Sequence, residues 1–293
     1  MSRFSSRPYW PEASAASETN SYVTMNRLPR FALILAVLAG LATASAAAQP
    51  SVFQYPFTCN RSSLAADFAQ RDQLPQTAVP AGAWYARNRD GVYLNGGWGP
   101  RPVSYPAVQV PANAGCDAAT WRRERILTVA MRHLNVPGNP DALDYRHHHI
   151  PAWNPPADTF PSGDRGMPEL SAASPWGPGR GLDCSNFASW VYNYGLGIRP
   201  TSSVRALAGS PGVPAQAIAK NGPFMPGDLV YLHPTNDSRR VSHVVIYIND
   251  AYVIDDRWDY VGPDGRPLRG VHVRPRVGWY RSAVLGGWRL IRP

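Results

Sequence analysis

Three residue types that could together cleave an acyl bond follow one another along the second half of the chain. Cys184 lies in "GLDCSNFASWVYNYG" (181–195), directly after an aspartate and ahead of an apolar run. His243 stands at the start of the apolar stretch in "SHVVIYI" (242–248), and Asp255 and Asp256 close "AYVIDD" (251–256). A thiol nucleophile needs a base within hydrogen-bond reach. The base in turn needs a group that holds its ring and steadies its charged form. Cysteine, histidine and a carboxylate are the residue types for those three parts.

The surrounding sequence has to position them. Phe187, Trp190, Val191 and Tyr194 repeat at i, i+3, i+4 and i+7, one face of a helix, with Asp183 as cap and Gly195 and Gly197 as stop. Cys184 therefore falls in a first turn, where unpaired N–H groups and the positive dipole end favour an anion and are expected to lower the thiol pKa. Segments 227–232, 242–248 and 251–256 are short, β-branched and bounded by turn residues, and read as strands. The last two form a hairpin. With a two-residue Asn249-Asp250 turn, His243 faces Asp256. With a loop that also takes in Ala251, Asp255 sits opposite Val245 and shares the His243 face on the diagonal. Turn chemistry leaves both registers open. "GVHVRPRVGWY" and "GGWRLIRP" add one or two further strands. Upstream, Ile126, Val129, Ala130 and Leu134 mark a second helix, capped by Asp117 and ended by residues 135–138. Helices followed by a small antiparallel sheet make an α+β fold.

The chain has 293 residues and a formal charge of +9, nearly all from arginine, since Lys220 is the sole lysine. The arginines are scattered, which argues against a nucleic-acid partner and for a generally basic surface. From Met25 the layout is that of a secretory signal peptide. It has a basic flank (Arg27, Arg30), an apolar stretch from Phe31 to Ala42, and small residues that place cleavage between Ala46 and Gln49. Residues 1–24 then read as an upstream mis-start, and 25–48 as the signal, too short to remain as an integral membrane anchor. The expected location is the periplasm or outside the cell. An exported chain can hold disulfides, and three cysteines leave one without a partner. Cys59 and Cys116, in proline-rich surroundings, are expected to pair, which leaves Cys184 free. Residues 49–118 then form an extension closed by that bridge, worth about 4 kcal/mol in loop entropy. They read as short strands or a wrapping arm. Residues 119–293 form the catalytic domain.

"LDCSNFASWVY", "MPGDLVYLHP" and "VSHVVIYINDAYVIDD", in that order, resemble the NlpC/p-sixty family of papain-like cysteine peptidases. The resemblance implies a papain-like fold, with Cys184 as nucleophile, His243 as base and Asp255, twelve positions later, as third residue. Asp256 is the alternative third residue. It further implies hydrolysis of amide bonds in peptidoglycan stem peptides, with no cofactor and no metal. Three positions depart from the pattern. Asn186 replaces the usual glycine, the third residue is an aspartate where many relatives have histidine, and no tyrosine lies about a dozen residues before Cys184. Tyr145 is 39 positions away.

Asp183, Ser185, Asn186 and Ser242 flank the reactive residues and are read as candidate lining of the substrate cleft. The long connection 138–180 is expected to border it, through His147, His149 and Trp153. His147 and His149 would share one side of an extended strand, but the polar cleft edge is preferred to a metal site. His133 is read as lying on the exposed side of its helix. Two rival readings keep other functions in play: a secreted acyltransferase or amidase with a different substrate, and a non-catalytic envelope-binding module using residues 50–118.

Overall fold

The computed structural model describes residues 53–80, 83–84, 88–90, 101–146, 149, 180–262, 265 and 267–292. All of these belong to one unit spanning Val52–Pro293. The signal-peptide reading, His147 and Trp153 lie outside the described residues. Two short helices, α1 (Arg61–Leu64) and α2 (Phe68–Asp72), begin the N-terminal arm. The long helix α3 (Ala118–Arg132) starts where Asp117 accepts the Ala119 and Thr120 N–H groups, both at 3.0 Å. A two-stranded parallel pair, β1 (Asp144–Tyr145) and β2 (Gly181–Leu182), leads into α4 (Cys184–Leu196). The short helix α5 (Val204–Gly209) and strand β3 (Gln216–Ala219) follow, both unsignalled by periodicity.

The remaining strands are β4 (Leu229–Leu232), β5 (His243–Asn249), β6 (Tyr252–Arg257), β7 (Gly270–Pro275) and β8 (Val284–Arg289), with α6 (Trp279–Ser282) before the last. They form a six-stranded sheet of order β3-β8-β4-β5-β6-β7, antiparallel throughout. Alternation divides the sheet into two faces. Val244, Ile246, Ile248, Ile254 and Val271 join the core built by α3 and α4. Val230, Leu232, Val245, Tyr247 and Val253 pack with Tyr280 and Ala283 on the other side. The fold is α+β, with the helix that carries Cys184 laid on an antiparallel sheet.

Helix α4 is buried along its whole length because the sheet covers one side and α3 and the arm cover the other. It ends at Gly197, whose positive φ of 71° lets its N–H reach the Asn193 carbonyl at 2.9 Å. The arm is closed by a Cys59–Cys116 disulfide and is pinned by charges that α3 buries. Glu124 accepts from the Thr58 and Cys59 N–H groups at 2.8 and 2.9 Å. Arg125 donates to the carbonyls of Gly195 (2.6 Å) and Leu64 (2.8 Å) and to Asp67. The arm thus shares one core with the segment expected to be catalytic. Among the described residues no helix is long and apolar enough to cross a membrane.

Candidate active site

Asp183 shapes the start of α4. Its Oδ1 accepts from the Ser185 and Asn186 N–H groups at 2.9 and 2.8 Å, and its Oδ2 from Asn186 Nδ2 at 3.0 Å. The Ser185 hydroxyl lies 2.8 Å from Asp183 Oδ1 and 2.7 Å from the Ser202 carbonyl oxygen. Asp183, Ser185 and Asn186 are therefore engaged in the cap, and Asn186, in place of glycine, adds a bond to it. Ser242 lies one residue before β5, with its N–H on the Leu232 carbonyl at 3.0 Å.

Cys184 is the free cysteine and is nearly buried. Its thiol departs from the expectation of a lowered pKa. Burial pushes it well above the ordinary thiol range, and Asp183, Asp256 and Asp255 add to that; the Val244 N–H, facing the sulfur, works the other way. The helix start does not outweigh desolvation and three nearby carboxyl groups. The resting thiol keeps its proton. Val244 is the residue after His243, so thiol and imidazole come from adjoining positions. Among the described residues no hydrogen bond joins them.

The β5–β6 register is that of the longer loop, with Ile246 opposite Ile254 and Tyr247 opposite Val253. Asp255 and Asp256 consequently face opposite sides of the sheet. Asp255 Oδ2 lies 2.6 Å from His243 Nε2, and the Tyr280 hydroxyl donates to the same oxygen at 2.8 Å. Arg274 Nε donates to Oδ1. Burial alone would raise the Asp255 pKa, but Arg274 and then His243 more than offset it and hold the carboxyl well below the usual range. With Nε2 bonded to Asp255, His243 has Nδ1 left for proton exchange. The Trp279 ring lies 5.7 Å from the imidazole, and its Nε1 is fixed on the His233 carbonyl at 2.8 Å.

Asp256 is not the partner of His243. It is wholly buried on the α4 side, and neither oxygen has a hydrogen-bond partner among the described residues. Burial, with Asp255, Asp144 and Asp183 nearby, pushes its pKa well up, so it sits as the neutral acid.

Tyr145 is brought to the site although the sequence separates it from Cys184. The β1–β2 pair sets it opposite Leu182, and Arg269 donates to its carbonyl at 2.7 Å. The pair approaches so closely at Gly181 that a Cβ there would lie 2.4 Å from the Asp144 carbonyl oxygen. Burial raises the Tyr145 phenol pKa, and Cys184 and Asp183 raise it further. No local signal marked this residue. Arg274 and Tyr280 were missed as well, though an arginine inside "GVHVRP" is a residue that a strand has to justify.

His149 corrects the cleft-edge reading. It is 2% exposed, and its ring centre lies 6.3 Å from that of Trp190, a residue of the core face of α4. His133 is likewise buried, not exposed. It caps α3, with Nδ1 2.9 Å from the Asp141 carbonyl oxygen and Nε2 3.3 Å from Trp190 Nε1. Among the described residues no group of His, Cys, Asp and Glu could hold a metal ion.

Comparison with curated proteins finds no match. Among solved structures, an NlpC/P60 family protein from Bacillus cereus is 26% identical over 38% of this chain and 32% of its own, with a TM-score of 0.31. A lipoprotein-like NLP/P60 protein from Staphylococcus aureus is 17% identical over 61% of this chain and 43% of its own, at 0.34. The NlpC/p60 domain of the peptidoglycan hydrolase SagA is 16% identical over 56% of this chain and 96% of its own, at 0.33. This chain thus spans less than half the length of the first two. Residues 172–276 match the family model described as NlpC/P60, so the resemblance read from the sequence rests on the stretch that holds Cys184, His243, Asp255 and Arg274.

Proposed function

We propose that this protein is an exported cysteine peptidase or amidase that hydrolyses amide bonds in peptidoglycan peptides. The observation that carries the reading is a free cysteine at the first turn of α4, facing the Val244 N–H, with the preceding residue, His243, held by a buried carboxylate at 2.6 Å. The NlpC/P60 match over that stretch supports the substrate class, and the Cys59–Cys116 disulfide suits an oxidising compartment.

Because the resting thiol is protonated, His243 acts as a general base during attack. The Cys184 proton passes to His243 Nδ1 as the sulfur bonds to the amide carbonyl carbon. The oxyanion is met by the Cys184 N–H and the Tyr145 phenol, whose raised pKa keeps its proton in place. Collapse breaks the C–N bond, and His243 returns the proton to the leaving amine. Water, deprotonated by His243, then opens the thioester and restores the thiol. Asp255 holds the ring throughout and steadies its cationic form.

The test is to incubate the mature protein, and Cys184→Ala, with purified sacculi and to identify released muropeptides by mass. Release by the first and not by the second is expected. Sedimentation on sacculi without release would sink the catalytic reading and leave the binding module. Acyl transfer to an added amine without hydrolysis would make it a transferase.

A further inference from the structure

We propose that Arg274 is a positioning residue for the base: it fixes Asp255 against His243 and offsets part of the carboxylate charge that Cys184 would otherwise face. The inference rests on the catalytic reading above. Arg274 and Asp255 are both fully buried, and their ion pair has no exposure on either side. Arg274 cannot touch substrate from there. Val253 pairs with Arg274, and Asp255 with His272, so the arginine and the carboxylate share the sheet face away from α4. The guanidinium is aimed by its other nitrogens, which donate to the carbonyls of Leu268 (3.1 Å) and Gly270 (3.0 Å), and it lies 4.5 Å from the Tyr260 ring centre.

Both carboxylate oxygens are thereby spoken for. Oδ1 takes Arg274 and Oδ2 takes His243 and Tyr280. The groups around the linked sites are Asp183 ahead of α4, Tyr145 on β1, Asp255, Asp256 and Arg257 on β6, and Asp259 after it. His272 and Arg274 come from β7 and Tyr280 from α6. Carboxyl groups dominate this set near the thiol. An uncompensated Asp255 would add a further negative charge against the thiolate. An arginine answers it at every working pH, since it does not lose its proton there.

The prediction is a pattern of signs. The rate of Cys184 alkylation by iodoacetamide is followed against pH in the full, disulfide-intact chain, with turnover on sacculi measured beside it. Arg274→Met should move the alkylation profile upward by about one pH unit or more, and Asp255→Asn should move it downward. The double variant, which removes both charges, should return it to within a few tenths of the parent profile. A role in packing alone would move no profile in opposite directions. Turnover should fall in all three variants.

The inference is overturned if the two single variants shift alike or not at all, or if the double variant departs as far as either. Near-UV circular dichroism checks folding. If a single variant does not fold, the double variant decides, because removing both members leaves no stranded charge. A displaced profile there refutes the proposal and a matching one supports it. Absence of muropeptide release by the parent protein would remove the catalytic reading while leaving the alkylation pattern readable. Release without the sign reversal would remove this inference alone.

Discussion

Asp255→Asn is the sharpest test of how the base is held. The carboxylate accepts from three donors, His243 Nε2 and the Tyr280 hydroxyl on Oδ2 and Arg274 Nε on Oδ1. An amide has one acceptor end. Whichever way it turns, its NH₂ meets either the arginine or the histidine and tyrosine. One flip loses the orienting bond, and the other strands a buried guanidinium against a donor. Breaking one side of a buried ion pair costs about 3–5 kcal/mol. In a chain of this size that lowers the melting temperature by roughly 6–20 °C.

Turnover should fall by on the order of 10², less than the ~10⁴ of a serine-based triad, because a thiol depends less on its third member. The assay is the initial rate of muropeptide release at a temperature where circular dichroism shows the variant folded, with Asp256→Asn as the paired control. Asp256 is already a neutral acid with no hydrogen-bond partner among the described residues, so its amide is a near-isosteric replacement and should leave turnover close to the parent. If Asp255→Asn keeps both melting temperature and turnover, the carboxylate does not organise His243. If the control is the slower enzyme, the side facing the thiol matters more than the side facing the imidazole.

Alkylation of the resting thiol should become fast only above the ordinary range of about 8.5, since burial and the surrounding carboxyls raise its pKa. A profile rising well below that value would mean that the helix start prevails. The folded-state pKa of Asp256 lies above its unfolded value, so the folded state keeps a proton that the unfolded chain loses, and this site costs stability as pH rises above the usual carboxylate range. Asp256→Asn should therefore gain stability over the parent as pH rises, read by urea midpoints at several pH values; a gain independent of pH would refute the linkage. His133 is lowered from 6.5 to about 4, so the unfolded chain binds its proton first and stability is lost as pH falls between those values. His133→Gln should flatten that limb of the stability curve. Replacing Cys59 and Cys116 by alanine should cost about 4 kcal/mol for a loop of this length. It should leave turnover nearly intact in the folded protein, because Glu124 and Arg125 still hold the arm, and a large loss of turnover would mean that the arm depends on the bridge alone.

Local patterns made the helix that carries Cys184 and the hairpin legible. Asp183 before a run with apolar residues at helical spacing gave α4 and the place of Cys184 on it. Alternation gave β4, β5 and β6, and one extra residue in the β5–β6 loop decides which aspartate meets His243. Turn chemistry alone could not choose that register. What stayed hidden depends on contacts between distant segments. Glu124 and Arg125 on α3 are buried because the arm supplies amides, a carbonyl and Asp67 to meet them, and Arg123 because the carbonyls of Pro226 and Ile291 and the Asp228 carboxylate meet it. Tyr145 lies beside Cys184 only through a two-residue strand pair formed across a long connection. His133 and His149 look like polar surface residues in sequence, and both lie against Trp190.

Asp255 and Asp256 show why one residue of register matters so much here. They are chemically identical neighbours, yet the pleat sends them to opposite faces and into opposite charge states. Asp255 meets a guanidinium, a phenol and an imidazole and stays ionised. Asp256 meets no donor among the described residues and keeps its proton. Were Asp256 ionised as well, Cys184 would face a further negative charge and would hold its proton more tightly. Were both neutral, His243 would lose the charged acceptor that holds Nε2 and leaves Nδ1 free. One carboxyl is charged and answered by a buried arginine, while the other, with no donor among the described residues, stays neutral. The protonated resting thiol then follows from the same surroundings. On the proposed mechanism that proton is removed during attack, so the orientation of His243, more than the acidity of Cys184, should govern turnover.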